Sequence, residues 1–353
     1  MGGAPAPMQA VIPWGFAHED AAGLARALTD AARFGFRHLL VPVPAALAHR
    51  AEAIAAALPP LPHLPQVQFA PVVQFAPVAA ATGDALARVA PLLEPVFLLV
   101  DPGQVVEANW LELALRAPPG GHALAVAGAS AAAPAGLALL GRDALPPGAD
   151  LPALLRGLAA DARTALWRLP ADAVRPVHAG TPARPPRPAL FLDRDGTLNA
   201  DYGYVSDPTR LVLLPGATAA VKRANDLGWS VFLVTNQSGV GRGYYAEADV
   251  IACNAALHDL LRAQGAHLDD IRYAADHPEA LEARYRAATG WRKPAPGMLT
   301  DLMAHWPVRR EASLMVGDKD SDVAAGEAAG IRGLLCDGGD LDALLAPYLH
   351  PPA

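Results

Sequence analysis

An apolar run that stops at two acids, one residue apart, constrains this chain more than any other feature. Ala189-Leu190-Phe191-Leu192 gives way to Asp193-Arg194-Asp195-Gly196-Thr197. A short apolar run bounded by turn formers suits a buried strand. Acids at the carboxyl end of such a strand fall where open α/β sheets place their ligands. With one residue between them, both carboxylates can face a single metal-filled crevice. The plainer alternative is a strand followed by an acidic turn with no chemical partners elsewhere.

Partners are present. Trp229 to Val234 is a second strand-like run, leading into Thr235-Asn236-Gln237-Ser238-Gly239. Trp291-Arg292-Lys293-Pro294 puts a cation in a loop before a predicted helix. Leu314-Met315-Val316 ends in Gly317-Asp318-Lys319-Asp320. Acids, a hydroxyl, a lysine and another acid form a phosphotransfer set: a carboxylate nucleophile, donors for phosphoryl oxygens, and oxygen ligands for a divalent cation.

These segments resemble the haloacid dehalogenase superfamily of phosphatases, and within it the D-glycero-D-manno-heptose 1,7-bisphosphate phosphatases and their histidinol-phosphatase relatives. The resemblance runs from Pro188 to about Leu345. It implies a Rossmann-like domain without a large cap, and hydrolysis of a small phosphorylated sugar through an aspartyl-phosphate. Asp193 would be the nucleophile. Asp195 would be the acid and base, its proton affinity raised by the first carboxylate and the approaching phosphate. Thr235 and Lys293 would hold the phosphoryl oxygens. Mg²⁺ would sit on Asp193, Asp318 and the backbone carbonyl of Asp195. Substrate contacts would come from Asp201, Tyr202, Gly203, Tyr204, Asn236, Gln237, Ser238, Arg292 and Lys319. Three residues stay open: Lys319 touches substrate or forms a salt-bridged pair, Asp322 holds Lys293 or caps the next helix, and Arg242 meets a second phosphate or is solvated.

One departure from the family pattern matters. Many heptose bisphosphatases carry a zinc loop of three cysteines and one histidine just before the Arg-Lys-Pro. The matching positions here are Ala274, Asp276, Thr289 and Trp291, so no zinc is expected. His277 reads as an ordinary loop histidine. The segment from Asp276 to Gly290 is then expected to be ordered by helix packing through Leu281, Tyr285 and Ala288. A further helix, Ala246 to Leu261, should bury Val250, Cys253, Leu257 and Leu260.

The first half alternates short apolar runs with helical spacing: strands at Ala10–Ile12, Arg37–Val43, Val67–Phe75 and Val96–Val100, and helices at Glu19–Arg33, Ala45–Ala57 and Thr82–Leu93. That is the pattern of an open α/β sheet. Ala81-Thr82-Gly83-Asp84-Ala85-Leu86, running into Phe97-Leu98-Leu99-Val100-Asp101, resembles sugar-phosphate nucleotidyltransferases, as does His178-Ala179-Gly180-Thr181-Pro182. The chemistry departs from that resemblance. The first loop, Pro13 to Asp20, has one glycine, two acids and no Lys or Arg, and Asp101 is followed by Pro102-Gly103. The expectation is a degenerate nucleotidyltransferase-like domain over 1–183, a proline-rich connector, and a phosphatase domain over 184–353. A bifunctional enzyme with residual nucleotidyl transfer is the alternative. Both domains should be α/β, with open, mainly parallel sheets and flanking helices.

A formal charge of −7 argues against a nucleic-acid surface and a basic membrane anchor. No apolar run reaches the roughly 20 residues of a membrane helix. The two cysteines, Cys253 and Cys336, are too few for a disulfide framework and read as buried thiols. The opening residues lack the charged and apolar regions of a signal peptide, so a cytoplasmic location is expected. The sequence leaves the oligomeric state open.

Overall fold

The computed structural model describes residues 8–16, 19–63, 66–72, 81–118, 121–127, 133–145, 151–177, 185–286 and 289–351. The chain divides into two units, Met1–Pro182 and Ala183–Ala353.

The first unit runs β1 (Gln9–Val11), α1 (Ala21–Arg33), β2 (His38–Pro44), α2 (Ala48–Ala56), β3 (Gln66–Val72), α3 (Ala81–Arg88), β4 (Val96–Val100), β5 (Gln104–Val106), α4 (Glu112–Arg116), β6 (His122–Ala127), β7 (Ala133–Gly141), α5 (Leu151–Ala160), β8 (Thr164–Leu169) and β9 (Val174–Pro176). Seven strands form one sheet in the order β3-β2-β1-β4-β7-β6-β8. Within that sheet only β7 runs antiparallel to its neighbours. Helix α1 starts later than its apolar spacing suggests, because the Asp20 carboxylate caps it by accepting from the Ala22 N–H. The helix expected over Thr82–Leu93 stops at Arg88 and gives way to a 3₁₀ turn at Ala90–Leu92, where Pro91 lacks the N–H to continue. Strand β3 ends at Val72; the rest of its expected span, like the His178–Pro182 phrase, lies outside the described residues.

Ligands of open sheets gather beyond the strand ends where chain order reverses, here β1 and β4. Described residues near that place pack closely. Trp14 and Phe16 after β1 are buried. A Cβ on Gly23, in the first turn of α1, would lie 2.4 Å from the Pro102 carbonyl oxygen. Asp101 turns back to accept from the Gly103 N–H.

The second unit runs β10 (Ala189–Leu192), α6 (Ala217–Asp226), β11 (Ser230–Asn236), α7 (Ser238–Gly241), α8 (Glu247–Arg262), β12 (Asp270–Ala274), α9 (Gly297–His305), β13 (Leu314–Gly317), α10 (Asp320–Ala328), β14 (Arg332–Leu335) and α11 (Leu341–Leu345). Its five strands are all parallel, ordered β12-β11-β10-β13-β14. Central β10 is buried throughout, as a strand covered on both faces must be. Leu190, Leu192, Val231 and Leu233 join one core; Phe191, Phe232, Val234 and Met315 join the other. Each such side chain stabilises the unit by about 1.5–3 kcal/mol relative to exposure. Among the described residues the stretches 199–216 and 275–296 carry single 3₁₀ turns, at Pro208–Arg210 and Ala283–Tyr285, and an isolated bridge between Asn199 and Leu213, so no cap domain interrupts the sheet.

Two expectations fail here. Leu261, not Leu260, completes the buried face of α8; Leu260 is 41% exposed. No helix orders the described part of 276–290. Leu281 is 70% exposed, and the segment is held by polar bonds. Ala288 lies outside the described residues. Both cysteines are free and buried, and no described helix is long and apolar enough to cross a membrane.

Candidate active site

Three neighbouring parallel strands deliver the predicted residues to one edge. Asp193 follows β10, Thr235 and Asn236 end β11, and Asp318 follows β13. Lys293 arrives from the loop before α9. Asn236 fixes that loop: its amide exchanges two 3.0 Å hydrogen bonds with the Lys293 backbone.

Asp193 and Lys293 form the centre. The ammonium donates to Asp193 Oδ1 at 2.7 Å, lies 2.6 Å from Asp322 Oδ1, and donates to the Val234 carbonyl at 2.8 Å. Three oxygens thus surround the ammonium. Burial pushes the Asp193 carboxyl up to about 6; the Lys293 ammonium pulls against that, and the Asp322 carboxylate adds to the rise. Asp322 also accepts from the Lys319 N–H, so it both holds the lysine and caps α10.

Asp195 is ringed by donors. The buried Arg194 guanidinium reaches back to both its oxygens, at 3.0 and 2.9 Å. Asn199 Nδ2 and Gln237 Nε2 donate to it at 2.9 and 3.0 Å. Arg194 itself is anchored on Asn254 Oδ1 and the Val205 carbonyl. Gln237 also donates to Thr235 Oγ1 and accepts from the Tyr245 hydroxyl.

The donor set suits a hard cation. Oxygens of Asp193, Asp318 and Asp322 lie within 4.8 Å of one another. Asp322 is already spent on Lys293, whereas Asp318 Oδ1 is buried without a hydrogen-bond partner. An orphaned carboxylate oxygen beside a second carboxylate fits an oxygen-liganded divalent ion. Gly196 makes the close approach possible: its φ is +87°, and a Cβ there would stand 2.4 Å from Asp318 Oδ2.

A pocket of about 240 Å³ opens over these groups. Asp193, Asp195, Asp201, Gly203, Tyr204, Thr235, Asn236, Gln237, Ser238, Lys293 and Lys319 line it; Tyr202, Arg292 and Asp318 do not. Lys319 forms ion pairs with Asp201 at 3.6 Å and Asp318 at 3.5 Å. Tyr202 is 53% exposed, with Arg210 over its ring. Arg292 donates to the Asp276 carbonyl at 3.4 Å, and Arg242 pairs with His277 and Glu279. Sequence reasoning missed Arg194, Asn199 and Tyr245. The only signal was for Arg194, a cation set between two acids.

A five-stranded parallel sheet with paired acids, a hydroxyl, a buried lysine and a further acid on its carboxyl edge defines a hydrolase of the haloacid dehalogenase class. Residues 290–351 match a family described as "HAD-hyrolase-like". The D-glycero-beta-D-manno-heptose-1,7-bisphosphate 7-phosphatase of Rhodopseudomonas palustris is 45% identical over 169 residues, 48% of this chain and 94% of that protein. The crystal structure of D,D-heptose 1,7-bisphosphate phosphatase from B. bronchiseptica, complexed with magnesium and phosphate, is 32% identical, covering 45% of this chain and 86% of its own, with a TM-score of 0.40. An inositol-1-phosphate CTP transferase from T. maritima is 9% identical over 47% of this chain and 86% of its own, with a TM-score of 0.32. The chain belongs to the heptose-bisphosphate phosphatase family of the haloacid dehalogenase superfamily, whose members are phosphoric monoester hydrolases.

Proposed function

We propose that the second unit is a Mg²⁺-dependent phosphatase of a small sugar phosphate, best D-glycero-D-manno-heptose 1,7-bisphosphate, working in the cytoplasm through an aspartyl-phosphate. The observation that carries this reading is the meeting of Asp193, Lys293 and the unpartnered Asp318 oxygen at one sheet edge. An Asp193 oxygen attacks phosphorus, and the bond to the ester oxygen breaks. Asp195 gives its proton to the departing alkoxide. A water then attacks the same phosphorus, Asp195 takes its proton, the acyl-phosphate bond breaks, and phosphate leaves. Lys293 and the Thr235 hydroxyl hold the phosphoryl oxygens as their charge redistributes. Mg²⁺, held by Asp193, Asp318 and the Asp195 carbonyl, would screen the charge of the phosphate dianion. Arg194, Asn199 and Gln237 orient the Asp195 carboxyl between its two proton transfers. The remaining pocket residues, with Tyr202 and Arg292, are assigned to the sugar and any further phosphate.

The test is phosphate release with Mg²⁺ from heptose 1,7-bisphosphate, histidinol phosphate, other sugar phosphates and glyceryl phosphates, with Asp193→Asn as blank. Strong preference for the heptose bisphosphate is expected. Preference for histidinol phosphate would transfer the assignment to that relative, and release equal to the blank would refute the phosphatase reading. For the first unit, the Pro13–Asp20 loop, with two acids and no Lys or Arg, supports a role without nucleotidyl transfer. Saturable nucleotide binding in a titration of the full chain would restore the bifunctional alternative.

A further inference from the structure

The segment after β12 holds two arginines by polar contacts. His277 Nε2 and Glu279 Oε2 lie 3.0 and 3.2 Å from Arg242, and the Asp276 carbonyl accepts from Arg292. Tyr204 lines the pocket, and both arginines lie outside its lining. Tyr204 in turn stacks edge-on against Tyr244, their ring centroids 4.7 Å apart. Two cations held by one segment suit a second anionic group on a molecule whose first phosphate sits over Asp193.

What fixes this segment is polar. Glu247, in the first turn of α8, accepts from the Tyr285 hydroxyl at 2.5 Å with one oxygen and from the Tyr273 hydroxyl at 2.8 Å with the other. Those two bonds, Tyr285 first, hold the Glu247 carboxyl below the usual glutamate range. Tyr273 lies on β12 and Tyr285 in the turn at 283–285, so one carboxylate joins helix, strand and turn. The Tyr285 carbonyl accepts from the His277 N–H at 2.8 Å, which passes the constraint to the residues that touch Arg242.

We infer that Glu247, Tyr273 and Tyr285 form a positioning clamp that sets Arg242 and Arg292 for a second phosphate of the substrate. This rests on the bisphosphate reading above. None of the three clamp residues touches the reacting atoms, so the clamp governs affinity for the outer phosphate and leaves the chemical step alone.

The experiment compares wild type with Tyr285→Phe and Glu247→Gln on a sugar bisphosphate and the matching monophosphate, alongside limited trypsin digestion at Arg284. Losing a hydrogen bond to a charged group should raise KM for the bisphosphate on the order of tenfold. In Tyr285→Phe, kcat and the monophosphate KM stay unchanged, and cleavage at Arg284 speeds up in both variants. Unchanged bisphosphate KM, or an equal fall in kcat on both substrates, overturns the clamp. Failure of the substrate reading looks different: wild type then shows no preference for the second phosphate, and an unchanged trypsin rate alone overturns the clamp.

Discussion

Replacing Lys293 by methionine removes one charge and leaves the stem volume in place. The ammonium is 2% exposed and sits between Asp193, 8% exposed, and Asp322, 1% exposed. Without it two buried carboxylates face each other uncompensated. Breaking a buried ion pair from one side costs about 3–5 kcal/mol. For a unit the size of Ala183–Ala353, each kcal/mol moves the midpoint by about 2–4 °C. The expected loss is therefore roughly 6–20 °C, read by calorimetry in metal-free buffer. Adding Asp322→Asn should recover at least half of it, since the repulsion is gone. The pH dependence has a definite sign. Asp193 already titrates higher folded than unfolded, so it takes up a proton on folding and gains stability as pH falls. Losing the ammonium strengthens that trend, and the gap to wild type should narrow from pH 8 to pH 5. A Lys293→Met protein melting within about 2 °C of wild type at pH 8, or a double variant no better than the single, would refute this account.

Two further outcomes follow from the geometry. Gly196→Ala places a methyl against Asp318 Oδ2 at a backbone angle side chains resist; Mg²⁺ titration of activity should shift by at least about tenfold, and an unshifted curve counts against Asp318 as a ligand. Arg194→Met frees Asp195 from its bidentate partner and strands Asn254; kcat should fall on the order of a hundredfold with KM little changed, and a pure KM effect would argue that Arg194 serves binding instead.

The second unit was legible because its three central strands are buried on both faces. Runs such as Leu190–Leu192 and Val231–Val234 have no competing reading, and their acids and hydroxyls sit at the ends where the runs stop. The segment after β12 was not legible, because Leu281, Tyr285 and Ala288 fall at helical spacing by coincidence. A leucine left in solvent and a tyrosine bonded to Glu247 give no apolar stripe to bury. Leu260 and Leu261 show the same limit on a smaller scale, as adjacent leucines on a helix cannot be ranked without knowing the axis. In the first unit the sequence reading places strands at β1 to β4 and none at β6, β7 or β8, and the direction of β7 depends on pairing with β4 and β6 across distant sequence. Arg194 was hidden because a guanidinium between two acids reads as a spacer until its fold-back onto Asp195 is seen.

The string Asp195–Gln237–Thr235, with Tyr245 at its side, has a direction. A carboxylate can only accept, so the Gln237 amide must turn its nitrogen toward Asp195; its second hydrogen then goes to Thr235, and Tyr245 caps its oxygen. Each hydrogen has one destination. Thr235 is left with a hydrogen to give and an oxygen already engaged. A group so placed has its hydrogen to offer an oxygen anion. The direction of that bond is set by the string itself before any phosphate arrives.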